Sequence, residues 1–321
     1  MVKKFAEKLV SHRKLGLISH ISPDGDAIGS QLGLYYWLKQ MGVEAEMFND
    51  DHVPSNLAWL EGASLIQVPD EGLLDQCDGF VFVDGNHPSR FGNTGPYFEK
   101  TQKPIYLIDH HLDVPEGFFR AMWWDAEASS TAMLVYQLYE STKPELLNKA
   151  AAEALYSGVV TDTGSFRFAT VTSGTHHAIA RIIDAGGIKP AEIHEKLYDD
   201  KRLQDLHLLG KALDNIALHH NGQLATLYVS GKMLEQTGCS YEDMEGFVNY
   251  PLGIRGVMVS VMFSEREGRV KMSFRGKAEV DLNRFARKFN GGGHFNAAGA
   301  WHDGPVTDAI DAVVAEMKKH L

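Results

Sequence analysis

Cysteine is scarce in this chain of 321 residues: only Cys77 and Cys239 occur, far apart and outside any CxxC or Cys/His spacing. That argues against a disulfide framework or a structural zinc site, and makes a reducing cytoplasm the expected setting. Long apolar runs are absent. None approaches 18 residues, and Met1–Lys8 holds no apolar signal core, so neither a membrane span nor a secretory leader is expected. Basic charge is also in deficit, with 31 Lys+Arg against 42 Asp+Glu, a net of −11. An even spread of that charge would exclude an extended track for long nucleic acid. No Gly-Lys-Ser/Thr occurs, so Gly29-Ser30 is not part of a P-loop, and no internal repeat or low-complexity tract is present.

What is there suits an ordinary globular protein. Hydrophobic residues make up 44% of the chain, aromatics 10% and charged residues 23%, which excludes global disorder, and the length favours two domains. The first half alternates strand-like and helical patterns: strands at Leu15–His20, Glu44–Phe48, Phe80–Val83 and Ile105–Ile108, helices at Ala27–Met41, Thr131–Tyr139, Ala150–Val160 and Thr175–Asp184. This alternation predicts an α/β fold, a mostly parallel sheet domain with helices on both faces, over residues 1–190. Pro190 opens a polar, periodic segment that reads as a connecting helix over 191–213. Strands at Leu224–Val229, Gly256–Phe263 and Val270–Phe274, a hairpin turn at Glu265–Gly268, and helices at Leu282–Phe289 and Ala309–His320 predict a smaller α+β domain over 214–321.

Four segments carry chemistry. His20-Ile21-Ser22-Pro23-Asp24-Gly25-Asp26 follows the first strand and opens a helix. An imidazole and two carboxylates there suit a divalent ion such as Mn²⁺, and the alternative is a turn whose acids cap the helix. Asp84 ends the apolar run Val81-Phe82-Val83, where a plain turn residue is the competing reading. Asp109-His110-His111 leaves another apolar strand, and three polar groups at one buried strand end are costly without a ligand. Asp162 follows an apolar helix, as a cap or a ligand. Together His20, Asp24, Asp26, Asp84, His110 and Asp162 offer two imidazoles and four carboxylates, about what two bridged divalent ions need. Such two-metal sites specialise in phosphoryl transfer to water.

These four segments resemble motifs I to IV of the DHH phosphoesterase superfamily, named for the Asp-His-His found here at Asp109–His111. Gly291-Gly292-Gly293-His294 resembles the GGGH signature of the domain that accompanies one branch of it. The resemblance implies two divalent ions, Mn²⁺ first and Mg²⁺ second. His20 and Asp24 would hold one, Asp26, His110 and Asp162 the other, with Asp84 bridging. It makes His111 face the scissile phosphate and Asp109 orient an imidazole. In the second domain it places Arg275, with Ser273 on the same strand face, at a terminal phosphate. The glycines, with His294, would form an anion nest there, and Arg255 would be a helper, although surface arginines are ordinarily solvated.

Within the superfamily, GGGH speaks against the pyrophosphatases, the length against RecJ-type exonucleases, and the lack of transmembrane segments against membrane-bound cyclic-dinucleotide enzymes. The remaining group hydrolyses short oligoribonucleotides and the 3′-phosphate of 3′-phosphoadenosine 5′-phosphate, in a cleft between the domains. Cyclic or linear dinucleotide phosphodiesterase and RecJ-like exonuclease stay as alternatives, as does a nucleotide-binding sensor that does not turn over. A short RNA or nucleotide is thus the expected partner, with no membrane; a homodimer stays open. The charge distribution agrees: nineteen basic and twenty-nine acidic residues leave −10 over 1–212, while nine basic and four acidic residues give +5 over 255–288. Long polymers stay excluded, but a short anion does not.

Overall fold

The computed structural model describes residues 1–266, 268–277, 280–293 and 295–321. It divides into two compact units, Met1–Asp200 and Lys201–Leu321. The first runs α1 (Val2–Leu9), β1 (Lys14–Ile18), α2 (Gly25–Gln40), β2 (Glu44–Phe48), β3 (Ile66–Gln67), α3 (Glu71–Asp75), β4 (Gly79–Val83), α4 (Gly95–Lys100), β5 (Ile105–Asp109), β6 (Ala121–Trp124), α5 (Thr131–Thr142), α6 (Lys149–Asp162), α7 (Ser173–Gly186) and α8 (Pro190–Tyr198). Among the described residues its sheet has the order β3-β2-β1-β4-β5-β6, with every neighbour parallel.

Alternation along the strands decides which face each side chain fills. Val81 and Val83 join Leu15, Leu17 and Ile108 against α1, α2, α5 and α6. Phe80 and Phe82 point the other way and meet Phe91 and Phe98, the Phe82 and Phe91 centroids lying 4.3 Å apart. Burying one such phenylalanine contributes about 2–3 kcal/mol, so both faces must be covered. Helices on both sides do this, as the apolar strand runs predict.

The second unit runs α9 (Leu203–Asp214), β7 (Ala217–His219), β8 (Leu224–Val229), α10 (Gly231–Thr237), β9 (Val259–Arg266), β10 (Arg269–Gly276), α11 (Leu282–Ala286), β11 (Gly292–Gly293), β12 (Ala297–Asp303) and α12 (Val306–Met317). Its sheet order is β11-β12-β10-β9-β8-β7, antiparallel except for β8 beside β9. Val270, Met272 and Phe274 pack against α11 and α12 on one face. The hairpin turn expected at Glu265–Gly268 includes Glu267, which lies outside the described residues.

One expectation needs revision. The segment 191–213 is not a single connecting helix but two, α8 and α9, separated at residues 199–202. Ile193 and Leu197 of α8 bury in the first core, whereas Leu208 and Ala212 of α9 bury in the second. Each helix serves its own unit. The polar stretch Asp199-Asp200-Lys201-Arg202 offers no apolar residue to carry one stripe across the boundary.

Candidate metal centre

In the first unit's sheet the chain runs from β1 through β2 to the edge strand β3, then crosses to the far side of β1 to form β4, so the order reverses between β1 and β4. Ligand sites in open parallel sheets form outside the carboxyl ends of the strands at such a switch. His20 follows β1, Asp84 follows β4, and Asp109-His110-His111 ends β5. Asp24 and Asp26 open α2, and Asp162 is the last residue of α6.

The approach of α6 to α2 has a specific cause. Gly25, Gly29 and Gly33 recur every four residues and so share one face of α2. A Cβ on Gly29 would lie 2.4 Å from the Ala154 carbonyl oxygen of α6, so only glycine permits this contact. It brings the C-terminal end of α6, and with it Asp162, beside Asp26. A carboxylate at a helix C-terminus opposes the helix dipole and gains from a nearby cation.

Three groups of donor atoms converge here: His20, Asp24 and Asp84; Asp84, His110 and His111; and Asp26, His110 and Asp162. Asp84 belongs to two of them. Its Oδ2 is 3.4 Å from His20 Nε2, and its Oδ1 is 3.7 Å from His110 Nε2. Asp162 and Asp26 lie 3.5 and 3.8 Å from the same His110 nitrogen. Ligands in adjacent positions on an octahedral ion at about 2.1 Å are roughly 3 Å apart, so small movements would close these gaps around a cation.

The imidazoles are prepared for that role. His20 Nδ1 lies 2.8 Å from the Ile21 carbonyl oxygen, and His110 Nδ1 lies 3.1 Å from that of Ala128. Each carbonyl can only accept, so it fixes the proton on Nδ1 and leaves Nε2 as the electron-pair donor. His111 is held differently. Asp109 is wholly buried, and its Oδ1 accepts from the His110 and His111 backbone N–H groups and lies 2.7 Å from His111 Nδ1. Asp109 therefore holds the His111 ring in place through that contact.

Charge is strongly perturbed throughout. Burial raises Asp26 well above the usual carboxylate range, and the negative charges of Asp84 and Asp162 add to the effect. Burial opposes ionisation of Asp84 too, but the His20 hydrogen bond and the neighbouring imidazoles outweigh it and hold the group far below its ordinary value. His110 is pushed up to about 9, because Asp162, Asp26 and Asp84 overcome its desolvation. His111 is lowered by burial, assisted by the positive charge of Arg90. Without a cation, protons must balance these carboxylates; the donor set fits divalent metal ions.

Asp24 realises both readings of its segment. It caps α2 through Oδ1, which accepts from the N–H groups of Asp26 and Ala27, and it still joins the His20 group. Asp84 has φ +59, a left-handed conformation that aspartate tolerates and β-branched residues do not. Two contributors were not legible as such. Ser130 caps α5, and Thr131 donates through its hydroxyl to Asp84 Oδ1 at 2.8 Å and through its N–H to Asp26 Oδ2 at 2.6 Å. Arg90 acts on both His20 and His111. Trp123 turns into the core, whereas Trp124 is half-exposed and donates to the His111 carbonyl at 2.7 Å. His176, His219 and His220 have ordinary partners in Phe166, Thr226 and the Val314 carbonyl.

In the second unit, Ser273 and Arg275 share a face of β10, and the Arg275 guanidinium also donates to the Phe274 carbonyl. Arg255 is exposed in the turn before β9. Gly292 and Gly293 form β11, paired with Gly299 and Ala298. Cβ atoms on Gly291 and Gly293 would lie 2.1 and 2.4 Å from the carbonyl oxygens of Gly299 and Ala297. Close strand approach therefore accounts for those two glycines without an anion; Gly292 is less confined. His294 lies outside the described residues.

Family models agree with this architecture: the DHH family N-terminal domain matches residues 14–159, and the DHHA1 domain matches 221–321. The bifunctional oligoribonuclease and PAP phosphatase NrnA of Thermus thermophilus is 33% identical over 307 residues, covering 95% of this chain and 89% of the relative. Its Bacillus subtilis namesake is 31% identical over 309 residues, covering 93% and 92%. The crystal structure of an exopolyphosphatase-related protein from Bacteroides fragilis superposes with a TM-score of 0.92 at 30% identity, covering 99% of this chain and 95% of that one. RecJ of Thermus thermophilus in complex with Mn²⁺ shares the fold alone, with a TM-score of 0.56 at 14% identity, over 100% of this chain and 54% of RecJ. No helix among the described residues is long and apolar enough to cross a membrane. Extended similarity across both units, and Asp-His-His at the end of β5, make this chain a member of the DHH family with a DHHA1 domain following the DHH domain.

Proposed function

We propose that this protein is a metal-dependent phosphoesterase that hydrolyses RNA of a few nucleotides and removes the 3′-phosphate of 3′-phosphoadenosine 5′-phosphate. The observation that carries this reading is Asp84, whose two oxygens face two different imidazole–carboxylate groups. Relatives named oligoribonuclease and PAP phosphatase, similar over nearly the whole chain, support the choice of substrate.

Two divalent ions, Mn²⁺ before Mg²⁺, would be held by His20 and Asp24 on one side and Asp26, His110 and Asp162 on the other, with Asp84 shared. Bound there, they would supply Lewis-acid charge to the phosphate and lower the pKa of water. The remaining work falls to the protein. Asp109 keeps the His111 proton on Nδ1, so Nε2 is presented unprotonated. The lowered pKa of His111 keeps that ring neutral near pH 7, able to accept a proton or a hydrogen bond at Nε2. Thr131 steadies Asp84 and Asp26 so that neither carboxylate turns away. In the second unit, Arg275 and Ser273 would hold a terminal phosphate, which sets a length preference without reading bases. The setting would be the cytoplasm.

The test is turnover with Mn²⁺ across 3′-phosphoadenosine 5′-phosphate, labelled RNA from two to about twenty-four nucleotides, and cyclic dinucleotides. Fast cleavage of dinucleotides and release of the 3′-phosphate is the expected outcome. Hydrolysis confined to cyclic dinucleotides, or none at all, would overturn the reading.

A further inference from the structure

One surface of the second unit is not explained by its packing. Strand register sets Arg266 of β9 opposite Arg269 of β10, and sets Lys271 of β10 opposite Trp301 of β12. Opposed residues share a face, and alternation adds Arg275 to it. Over β8 and β9 that face is covered: Leu227, Val229 and Met262 pack with Leu208 of α9 and Leu234 of α10. Among the described residues that apolar cluster includes none from β10 or β12, although the segment 247–253 that carries Phe247 and Val248 also packs against β10.

What stands on this face beyond the apolar cluster is basic and aromatic. The Trp301 indole is 41% exposed. The Arg269 and Arg266 guanidiniums lie 5.2 and 6.0 Å from its centroid, and Arg266 is 4.5 Å over Tyr241 as well. Arg269 is tied to Asp303 at 2.6 Å. Lys271 is in a different position: it is half-buried, and among the described residues the charged groups acting on it are Arg266 and Arg275. A partly desolvated ammonium among like charges is unfavourable unless an anion joins it. An acidic peptide would supply the anion but make no use of a flat, exposed indole. A nucleotide supplies both a phosphate and a ring that stacks, the combination used by sheet surfaces that bind single strands.

The geometry points to a nucleotide platform on this face, where Lys271 takes a phosphate of a short RNA and Trp301 stacks on one of its bases. It deepens the proposed function and rests on that reading for the identity of the polymer. The platform adds base affinity to a site whose other contacts are to phosphate. It favours purines over pyrimidines, because the larger ring covers more of the indole.

The experiment compares a 5′-phosphorylated diadenylate with an abasic dinucleotide of the same charge, using the full chain with Mn²⁺. Trp301→Ala should lower kcat/KM for diadenylate about tenfold more than for the abasic compound, while Trp301→Phe recovers most of that difference. Diuridylate should lose less than diadenylate. Lys271→Gln should raise KM for the abasic and adenylate substrates alike. Equal losses on the two substrates in Trp301→Ala, or no loss on either, would overturn the platform. If the wild type cleaves no nucleotide, the functional reading fails and calorimetric titration of the metal-free chain with diadenylate decides the platform: binding that Trp301→Ala weakens supports it, whereas unaltered binding or no wild-type binding rejects it.

Discussion

The two sheets of this protein use their strands in opposite ways. In the first unit the central strands β1, β4 and β5 are buried along their whole length on both faces, and the functional groups stand at their ends. In the second, one face is core and the other is only partly covered, so charged residues stand on the strand surface itself. Charge follows this division. Met1–Asp200 has sixteen basic and twenty-eight acidic residues, whereas Lys201–Leu321 has fifteen and fourteen. Groups at strand ends inherit their positions from the backbone, which suits a metal centre that tolerates little displacement. Groups on an open face are set by side-chain rotamers, which suits graded electrostatic binding of a variable chain.

The sharpest way to break this comparison is to alter a strand-end group without disturbing the backbone. Asp84→Asn keeps a residue that accepts φ +59 but removes the negative charge shared by the two ligand groups. We expect kcat with Mn²⁺ to fall by about a thousandfold or more, with the circular dichroism spectrum retained. A loss below about tenfold would deny Asp84 its shared role.

A smaller effect concerns pH. In the metal-free protein the carboxylates of Asp162, Asp26 and Asp84 push His110 up to about 9, so a metal ion must displace its proton at pH 7. Metal affinity should therefore rise as pH increases, by about tenfold per unit while the His110 proton is the one released, and level off above about pH 9. Titration calorimetry in buffers of different ionisation enthalpy would count the protons. Affinity that is flat from pH 7 to 9 would mean His110 is not a ligand. No corresponding step is expected for the binding face of the second unit.

Much of the first unit was legible because its signals are local. Apolar runs such as Phe80–Val83 mark buried parallel strands, and polar residues directly after them mark the ligand end of the sheet. The candidate ligands could be named before their distances were known, since a parallel α/β order brings strand ends together whatever the loops do. Thr131 and Arg90 were hidden because their roles depend on contacts with elements distant in sequence. The four-residue spacing of Gly25, Gly29 and Gly33 could have revealed the close approach of α2 and α6; it was overshadowed by the acids beside it. In the second unit the glycine run has two physical readings. Gly291 and Gly293 are required by the neighbouring strand, and sequence cannot tell a crowded backbone from an anion nest. The break between α8 and α9 was hidden because polar residues fit either a helix surface or a boundary.

The smallest effect tests whether the second unit only binds. Arg275 presents a planar fork, which a lysine replaces by a single point charge, so Arg275→Lys keeps the charge and loses the second hydrogen bond to a phosphate. One such bond is worth about 1 kcal/mol, so KM for a dinucleotide with a terminal phosphate should rise about fivefold. If catalysis resides at the strand ends of the first unit, kcat should not change, because an interaction made equally in the ground and transition states affects binding alone. A dinucleotide without the terminal phosphate should respond little. The opposite pattern, a fall in kcat at constant KM, would place the guanidinium on charge that develops during reaction. The division between a catalytic unit and a binding unit would then fail at Arg275.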